Sequence, residues 1–495
     1  MNLLSIDFAT IWGNIIDLLS FDPKQPLMFS SGLFWVLFLV FLPIFALLRR
    51  NKTQMTIFVI AFSLYFFFKS SGWFFLLLVF TAVLDWIIAR RIAQSQSKST
   101  RKALLWLSIV CSLGILAYFK YANFFMVNLT ALVGGNFQPL DILLPVGISF
   151  YTFRTISYVV DVYKGKMQPV ESFTDYLFFL SFFPCLVAGP IVRARDFMPQ
   201  LQELKPATAK MIYGGLWLVM LGIIKKAVVA DYIGLYNNIV FDNPGGYSGV
   251  ELLMAILGYT MQIYCDFSGY SDMAIGLGAI MGFDLGINFN YPYRSLNVTE
   301  FWRRWHITLS TWLRDYVYIP LGGNRKGTVR RYINLMVTML LGGLWHGAAW
   351  TFVVWGAGHG IALCAHKLSK TWLDRIESTP VSRFISWLLT FSFVAFLWVF
   401  FRASTFQAAG QVISGIFTDF EWAYLPVFLE RRVTWCVMLA LIYGLHFVPT
   451  RIWDKMREKF IAAPWVVKLL IFVLLIQLVL QFASATVQPF LYSQF

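Results

Sequence analysis

Between Asn290 and Trp350 the chain places two of its five histidines, His306 and His346, together with eight Lys/Arg and only two acids, Glu300 and Asp315. A neutral imidazole can take a proton from a hydroxyl nucleophile and later return it to a leaving group. His346 lies in an apolar run, LMVTMLLGGLWHGAAW, with a Gly-Gly pair before it and small residues after it. Small residues let helices approach closely or open room for a substrate. Taken alone, an intramembrane histidine is as often structural as catalytic. Two in one polar-lined region favour proton transfer.

His306 belongs to FWRRWHITLSTWLRDYVYIPLGGNRKG (301–327). Trp302, Trp305, Leu309, Trp312 and Tyr316 recur at three- and four-residue steps, so the spacing predicts one amphipathic helix over 302–316. His306 falls at the edge of that stripe, and Arg303, Ser310, Arg314 and Asp315 lie off it. Such a helix is too polar to cross lipid upright and belongs at the interface or inside the protein. The following Gly322-Gly323-Asn324 reads as a turn that presents Arg325 and Lys326. Those cations serve either topology and headgroup contact or capture of an anionic donor.

The elements that must position these residues are apolar. The 495 residues are 58% hydrophobic, 18% aromatic and 13% charged, against about 25% charged in soluble domains. A soluble multidomain protein is excluded. The net charge of +15 fits basic cytoplasmic loops and anionic lipid, so no nucleic-acid partner is expected. The chain lacks a basic start followed by a short apolar core and a small-residue cleavage site, and no cleaved signal peptide is expected. Spans are expected near 34–48, 55–68, 73–88, 103–119, 211–229, 249–281, 332–345, 347–365, 384–401, 433–449 and 466–484, about eleven in all. The acid-free basic loops Arg49–Lys52 and Arg90–Lys102 lie two spans apart and are assigned to the cytoplasm. The stretch 143–165, laced with Ser, Thr, Arg154 and Asp161, reads as a helix buried against protein, and Pro184 with Gly189-Pro190 predicts a break over 179–193.

Five scattered cysteines without a CxxC read as buried thiols. His359 and His366 are seven residues apart with no obvious third ligand, so no metal site is expected; His446 reads as a helix-end residue. Asp266, Asp272 and Arg154 in apolar surroundings leave a transporter or channel open, although no repeated halves are visible. A glycosyltransferase is disfavoured because no Asp-x-Asp occurs. A non-catalytic scaffold predicts that both histidines are dispensable.

The motifs 301–327 and LLGGLWHGAAW (340–350), with LPVGISFYTF (144–153), AGPIVR (188–193) and the run 262–293, resemble the membrane-bound O-acyltransferase (MBOAT) family. The likeness is to its bacterial branch of alginate O-acetylation and teichoic-acid D-alanylation proteins. It covers most of 30–495. It implies an all-α polytopic fold, a helical ring around a central tunnel or funnel, with interfacial helices besides the spans. The chain would form one domain, 1–495, with a catalytic core at about 140–370 and C-terminal helices and an aromatic tail at 384–495. The resemblance makes His346 the catalytic histidine and His306 the second active-site residue. Substrate contacts are expected from Trp305, Ser310, Arg314 and Asp315, from Asn324, Arg325 and Lys326, from Trp345, and from Tyr264, Asp266 and Ser268. The implied reaction moves an acyl group from a cytoplasmic thioester across the bacterial inner membrane to an extracytoplasmic polysaccharide. Acetyl-CoA is the simplest donor and D-alanyl the competing group. No tightly bound cofactor is expected. Besides membrane lipid, the implied partner is an extracytoplasmic SGNH-type acyltransferase. The ending PFLYSQF is similar to that of the branch and makes Tyr492 either an acyl relay, its phenol deprotonated by a histidine, or an interfacial anchor.

Overall fold

Phe34, Phe38, Phe41 and Phe45 recur at steps of four, three and four, and this period puts them on one face of the helix Gly32–Leu48, whose buried residues they are. Their rings stack in sequence at 5.6–5.7 Å, and Phe183 packs edge-on to Phe41 at 5.6 Å. The computed structural model describes residues 8–375, 377–482 and 491. Among them every regular element is helical.

The chain divides into two compact units. The first comprises 1–119, 141–187 and 193–204; the second comprises 120–140, 188–192 and 205–495. In the first unit, the helix Ile148–Tyr163 is buried from Ile148 through Val162, with one exception at Ser149. Its Arg154 donates to the Cys185 carbonyl at 3.4 Å and lies over the Phe179 ring. The helix Phe173–Ser181 ends before a single turn containing Pro184, where the proline predicts a break.

The second unit is organised on the helix Gly249–Met281, which begins at a capping box formed by Ser248 and Glu251. It crosses the helix Ala209–Ile223 through facing glycines. A Cβ on Gly215 would lie 2.5 Å from the Gly276 carbonyl oxygen, and one on Gly222 would lie 2.5 Å from that of Gly269. Only glycine permits backbones this close.

Five helical runs among the described residues are long and apolar enough to cross a membrane: Lys52–Gln94, Lys98–Leu132, Ala209–Asp242, Pro380–Arg402 and Trp465–Phe482. The pair Val433–Phe447 and Thr450–Ala462, bent by 95°, makes a sixth if it is one broken span. The expectation of about eleven also counted the shorter apolar helix Gly32–Leu48 and less apolar helices, among them Thr328–His346 and Trp350–Leu373.

Two expectations are overturned. Of the five cysteines only Cys185 and Cys265 are buried, the other three being partly exposed. Residues 302–316 do not form a continuous helix. Val298–Arg304 and Ile307–Leu313 are separate helices, and a π turn, Arg314–Tyr318, follows. The break falls on His306, whose backbone is left-handed (φ 40°, ψ 57°). That conformation costs a non-glycine residue about 1–2 kcal/mol, and periodicity does not report it.

Candidate active site

His306 is turned out of the helical path by partners from the preceding loop. The Ile307 N–H donates to the Asn288 carbonyl at 2.8 Å. The Asn288 side-chain oxygen accepts from the Thr308 N–H at 3.3 Å and the Thr308 hydroxyl at 2.8 Å. It also lies 3.0 Å from His306 Nδ1. A backbone N–H can only donate, so this Asn288 atom is the carbonyl oxygen and Nδ1 carries the proton. In the neutral ring Nε2 is then the acceptor position. The Asn288 amide nitrogen continues the chain to Ser271 Oγ at 3.0 Å.

His346 is the last residue of the helix Thr328–His346. That helix lies against Trp350–Leu373 by the same device of facing glycines. A Cβ on Gly343 would meet the Phe352 carbonyl oxygen at 2.3 Å, and one on Gly356 the Met339 carbonyl oxygen at 2.5 Å. Gly347 is required for a related reason, since its Cβ would lie 2.1 Å from the Phe352 ring. This close packing brings Trp355 to 5.0 Å from the His346 ring, and Phe401, from the helix Pro380–Arg402, stands at 5.1 Å.

Trp345 joins the two histidines. Its ring centre is 5.8 Å from that of His306 and 5.0 Å from that of His346. Both imidazoles are buried. Phe267 stands edge-on to His306 at 4.6 Å, and Phe289 lies between it and Trp305. Such a site is screened from bulk solvent, and electrostatic interactions there are stronger than in water. The indole N–H groups of Trp302, Trp305 and Trp355 are buried with no acceptor among the described residues. They are unused hydrogen-bond donors in the aromatic shell around the two histidines.

The other anticipated residues fall into three groups. Trp305 and Ser310 belong to the histidine corner: Trp305 packs on Phe301 and Trp398, and Ser310 Oγ donates to the Trp305 carbonyl at 3.3 Å. Arg314, Asn324, Arg325 and Lys326 are exposed. Arg314 pairs with Asp315 at 2.7 Å, and this hydrogen bond holds the guanidinium pKa above its ordinary value; Asn324 accepts from the Tyr318 hydroxyl at 2.6 Å. Tyr264, Asp266 and Ser268 lie buried on Gly249–Met281. Tyr264 packs on the His446 ring at 4.8 Å. Asp266 is committed to Lys226 at 2.6 Å and to the Leu491 N–H at 3.1 Å. Tyr492 lies outside the described residues.

Three participants were not anticipated. Asn288 lies in the INFNYPY stretch, and only its position opposite His306 reveals its use. Lys120 Nζ donates to the Trp345 and His346 carbonyls at 2.7 and 3.0 Å; its signal was a lone charge in the apolar run 103–132. His359, assessed above only for metal, is fully buried between Trp302 and Trp355, and neither ring nitrogen has a hydrogen-bond partner among the described residues. His366 lies elsewhere, 2.9 Å from the Thr299 hydroxyl.

Residues 104–409 match the model of the MBOAT, membrane-bound O-acyltransferase family. A peptidoglycan O-acetyltransferase of Helicobacter pylori is 37% identical over 420 residues, 79% of this chain and 80% of that protein. A probable alginate O-acetylase of Pseudomonas aeruginosa is 41% identical over 404 residues, 80% of this chain and 76% of that protein. A teichoic acid D-alanyltransferase of Bacillus subtilis is 29% identical over 283 residues, 54% of this chain and 71% of that protein.

Proposed function

Because the chain belongs to the membrane-bound O-acyltransferase family and is a multi-pass membrane acyltransferase, we propose that it moves an acetyl group from a cytoplasmic thioester to a hydroxyl of an extracytoplasmic polysaccharide. The observation that carries this reading is the meeting of His306 and His346 on the Trp345 ring in a buried aromatic site. Acetyl is preferred over D-alanyl because the relatives named for O-acetylation match some four-fifths of the chain, whereas the D-alanyltransferase matches about half.

In the reaction, His346 takes the proton of the acceptor hydroxyl as its oxygen attacks the thioester carbonyl. The new C–O bond forms, the C–S bond breaks, and the proton passes from His346 to the departing sulfur. As the second active-site residue, His306 could stabilise the oxyanion or hold the thioester carbonyl only by donating a hydrogen bond. With Asn288 holding the proton on Nδ1, Nε2 of the neutral ring accepts rather than donates. We therefore assign His306 Nε2 to accept a hydrogen bond from a second hydroxyl of the acceptor, since the reacting hydroxyl gives its single proton to His346. The buried indole N–H groups suit the developing oxyanion better. Arg325 and Lys326 suit a phosphate-bearing donor such as acetyl-CoA, held at the cytoplasmic side of a bacterial inner membrane. A relay through Tyr492 would insert one step, transfer to the phenol oxygen and then to the glycan, completed by an extracytoplasmic SGNH-type partner. Residues of about 140–370 would form the catalytic core of a single functional domain.

The test is incubation of the purified protein in nanodiscs with radiolabelled acetyl-CoA, following free thiol and protein-bound label. Thiol release that is lost in a normally folded His346→Ala protein is expected. Full activity of that variant overturns the reading, as does ion-driven uptake with no acyl product. Label on the wild type that is absent from Tyr492→Phe establishes the relay; His346-dependent thiol release without label removes the relay alone.

A further inference from the structure

His346 sits on the last turn of its helix, where a histidine is hardest to hold still. The final carbonyls of an α-helix have no partner within it, and the end frays unless something accepts the task of binding them. The chain then leaves through Gly347, which is extended (φ −164°, ψ 154°), so it does not make the left-handed turn that closes many helices. The carbonyls are taken instead by a segment more than 220 residues away in sequence. Lys120 Nζ donates to the carbonyls of Trp345 and His346, and the Tyr121 hydroxyl donates to that of Leu344 at 2.6 Å. Three successive carbonyls of the last turn are thus bound by two adjacent side chains.

The local structure of 117–121 is arranged for this. The run Lys98–Leu132 is regular on both sides, but Ala117–Tyr121 is a π turn. The widened turn inserts an extra residue and changes which face the following side chains occupy. A lysine inside an apolar run carries a desolvation cost that topology does not require. Here the ammonium meets the negative end of a helix dipole as well as two carbonyl oxygens, the placement that favours a cation.

We infer that Lys120, with Tyr121, is a positioning residue pair for His346: it clamps the end of the helix Thr328–His346 and so fixes the imidazole against the reacting groups. This rests on His346 being the catalytic base. Lys120 acts through the backbone of residues 344–346 and is assigned no contact with substrate. A misplacement of about 1 Å at a catalytic group can cost on the order of 100-fold in rate, so the clamp affects turnover more than donor affinity.

The experiment compares Lys120→Met, Lys120→Arg and Tyr121→Phe in nanodiscs by acetyl-CoA thiol release, with amide hydrogen exchange of 342–347. Lys120→Met should lower kcat by roughly 10- to 100-fold with KM for acetyl-CoA nearly unchanged and with faster exchange in 342–347. Lys120→Arg, which keeps the charge and the donors, should recover most of the rate. Tyr121→Phe should show a smaller loss of the same kind. A Lys120→Met protein with wild-type kcat overturns the inference, and so does a loss that falls on KM or is not rescued by arginine. If Lys120→Met does not fold, unchanged exchange and kcat in Tyr121→Phe overturns it. Inactive His346→Ala beside fully active Lys120→Met removes the clamp alone. Fully active His346→Ala removes the catalytic reading, whatever the exchange shows.

Discussion

Around the π turn Ile224–Ala230, charged groups set wholly or partly inside apolar protein are answered by opposite charge. Lys226 binds Asp231 at 2.7 Å and Asp266 at 2.6 Å, and Lys225 binds Asp272 at 2.6 Å. Around His306 and His346 the neighbours are instead rings: Phe267, Phe289, Trp345, Trp355 and Phe401. The difference separates groups fixed by ion pairs from those proposed for chemistry. A buried ion pair has its charges fixed by the partner, and breaking it leaves an uncompensated charge. An imidazole walled by aromatic rings is kept in its neutral form by burial, the form a general base needs before it takes a proton. This pairing also weakens the transporter reading, because Asp266 and Asp272 are each bound to a lysine rather than arrayed along a path.

The comparison breaks most directly at His346. His346→Ala should lower acetyl transfer on the order of 1000-fold, the scale of a lost general base, while the thermal midpoint stays near wild type. A comparable loss of stability would put His346 with the ion pairs instead. Next in size, Lys226→Met leaves the buried Asp266 and the partly buried Asp231 without their cation and should cost about 3–5 kcal/mol of stability, read by denaturation in detergent, with the rate per folded molecule preserved. A folded Lys226→Met protein that has lost turnover would erase the distinction drawn here. Asn288→Ala frees the His306 ring and removes a tie of the left-handed corner; kcat should fall about 10- to 100-fold, with a smaller change in stability. The mildest effect is expected for Arg325→Gln with Lys326→Gln. Both cations are exposed, and KM for acetyl-CoA should rise by about two- to five-fold, more at low than at high ionic strength. No change in KM would leave them to topology and headgroups.

All three π turns among the described helices carry charged residues: Lys120, Lys225 with Lys226, and Arg314 with Asp315. None is visible as a turn in the sequence, because a helix with one inserted residue keeps most of its apolar period. The same limit explains the failure over 302–316. The aromatic stripe there is real, but its residues serve two short helices joined by a corner, and the corner is held from outside by Asn288.

What the sequence determined by itself rests on composition, period and small residues. Its apolar content placed it in a membrane, the breadth of the apolar run 249–281 predicted the long central helix, and the LLGGLWHGAAW motif singled out His346. The Gly-Gly pair before His346 and the small residues after it pointed to close helix approach or room for a substrate, and Gly343 and Gly347 serve the first. Tertiary structure alone decided how the histidines are held. His306 depends on a side chain 18 residues earlier, and His346 on one 226 residues away. Hydrogen bonds between such distant segments leave no periodic trace, since they depend on where separate helices end in space and not on the residues beside them in the chain.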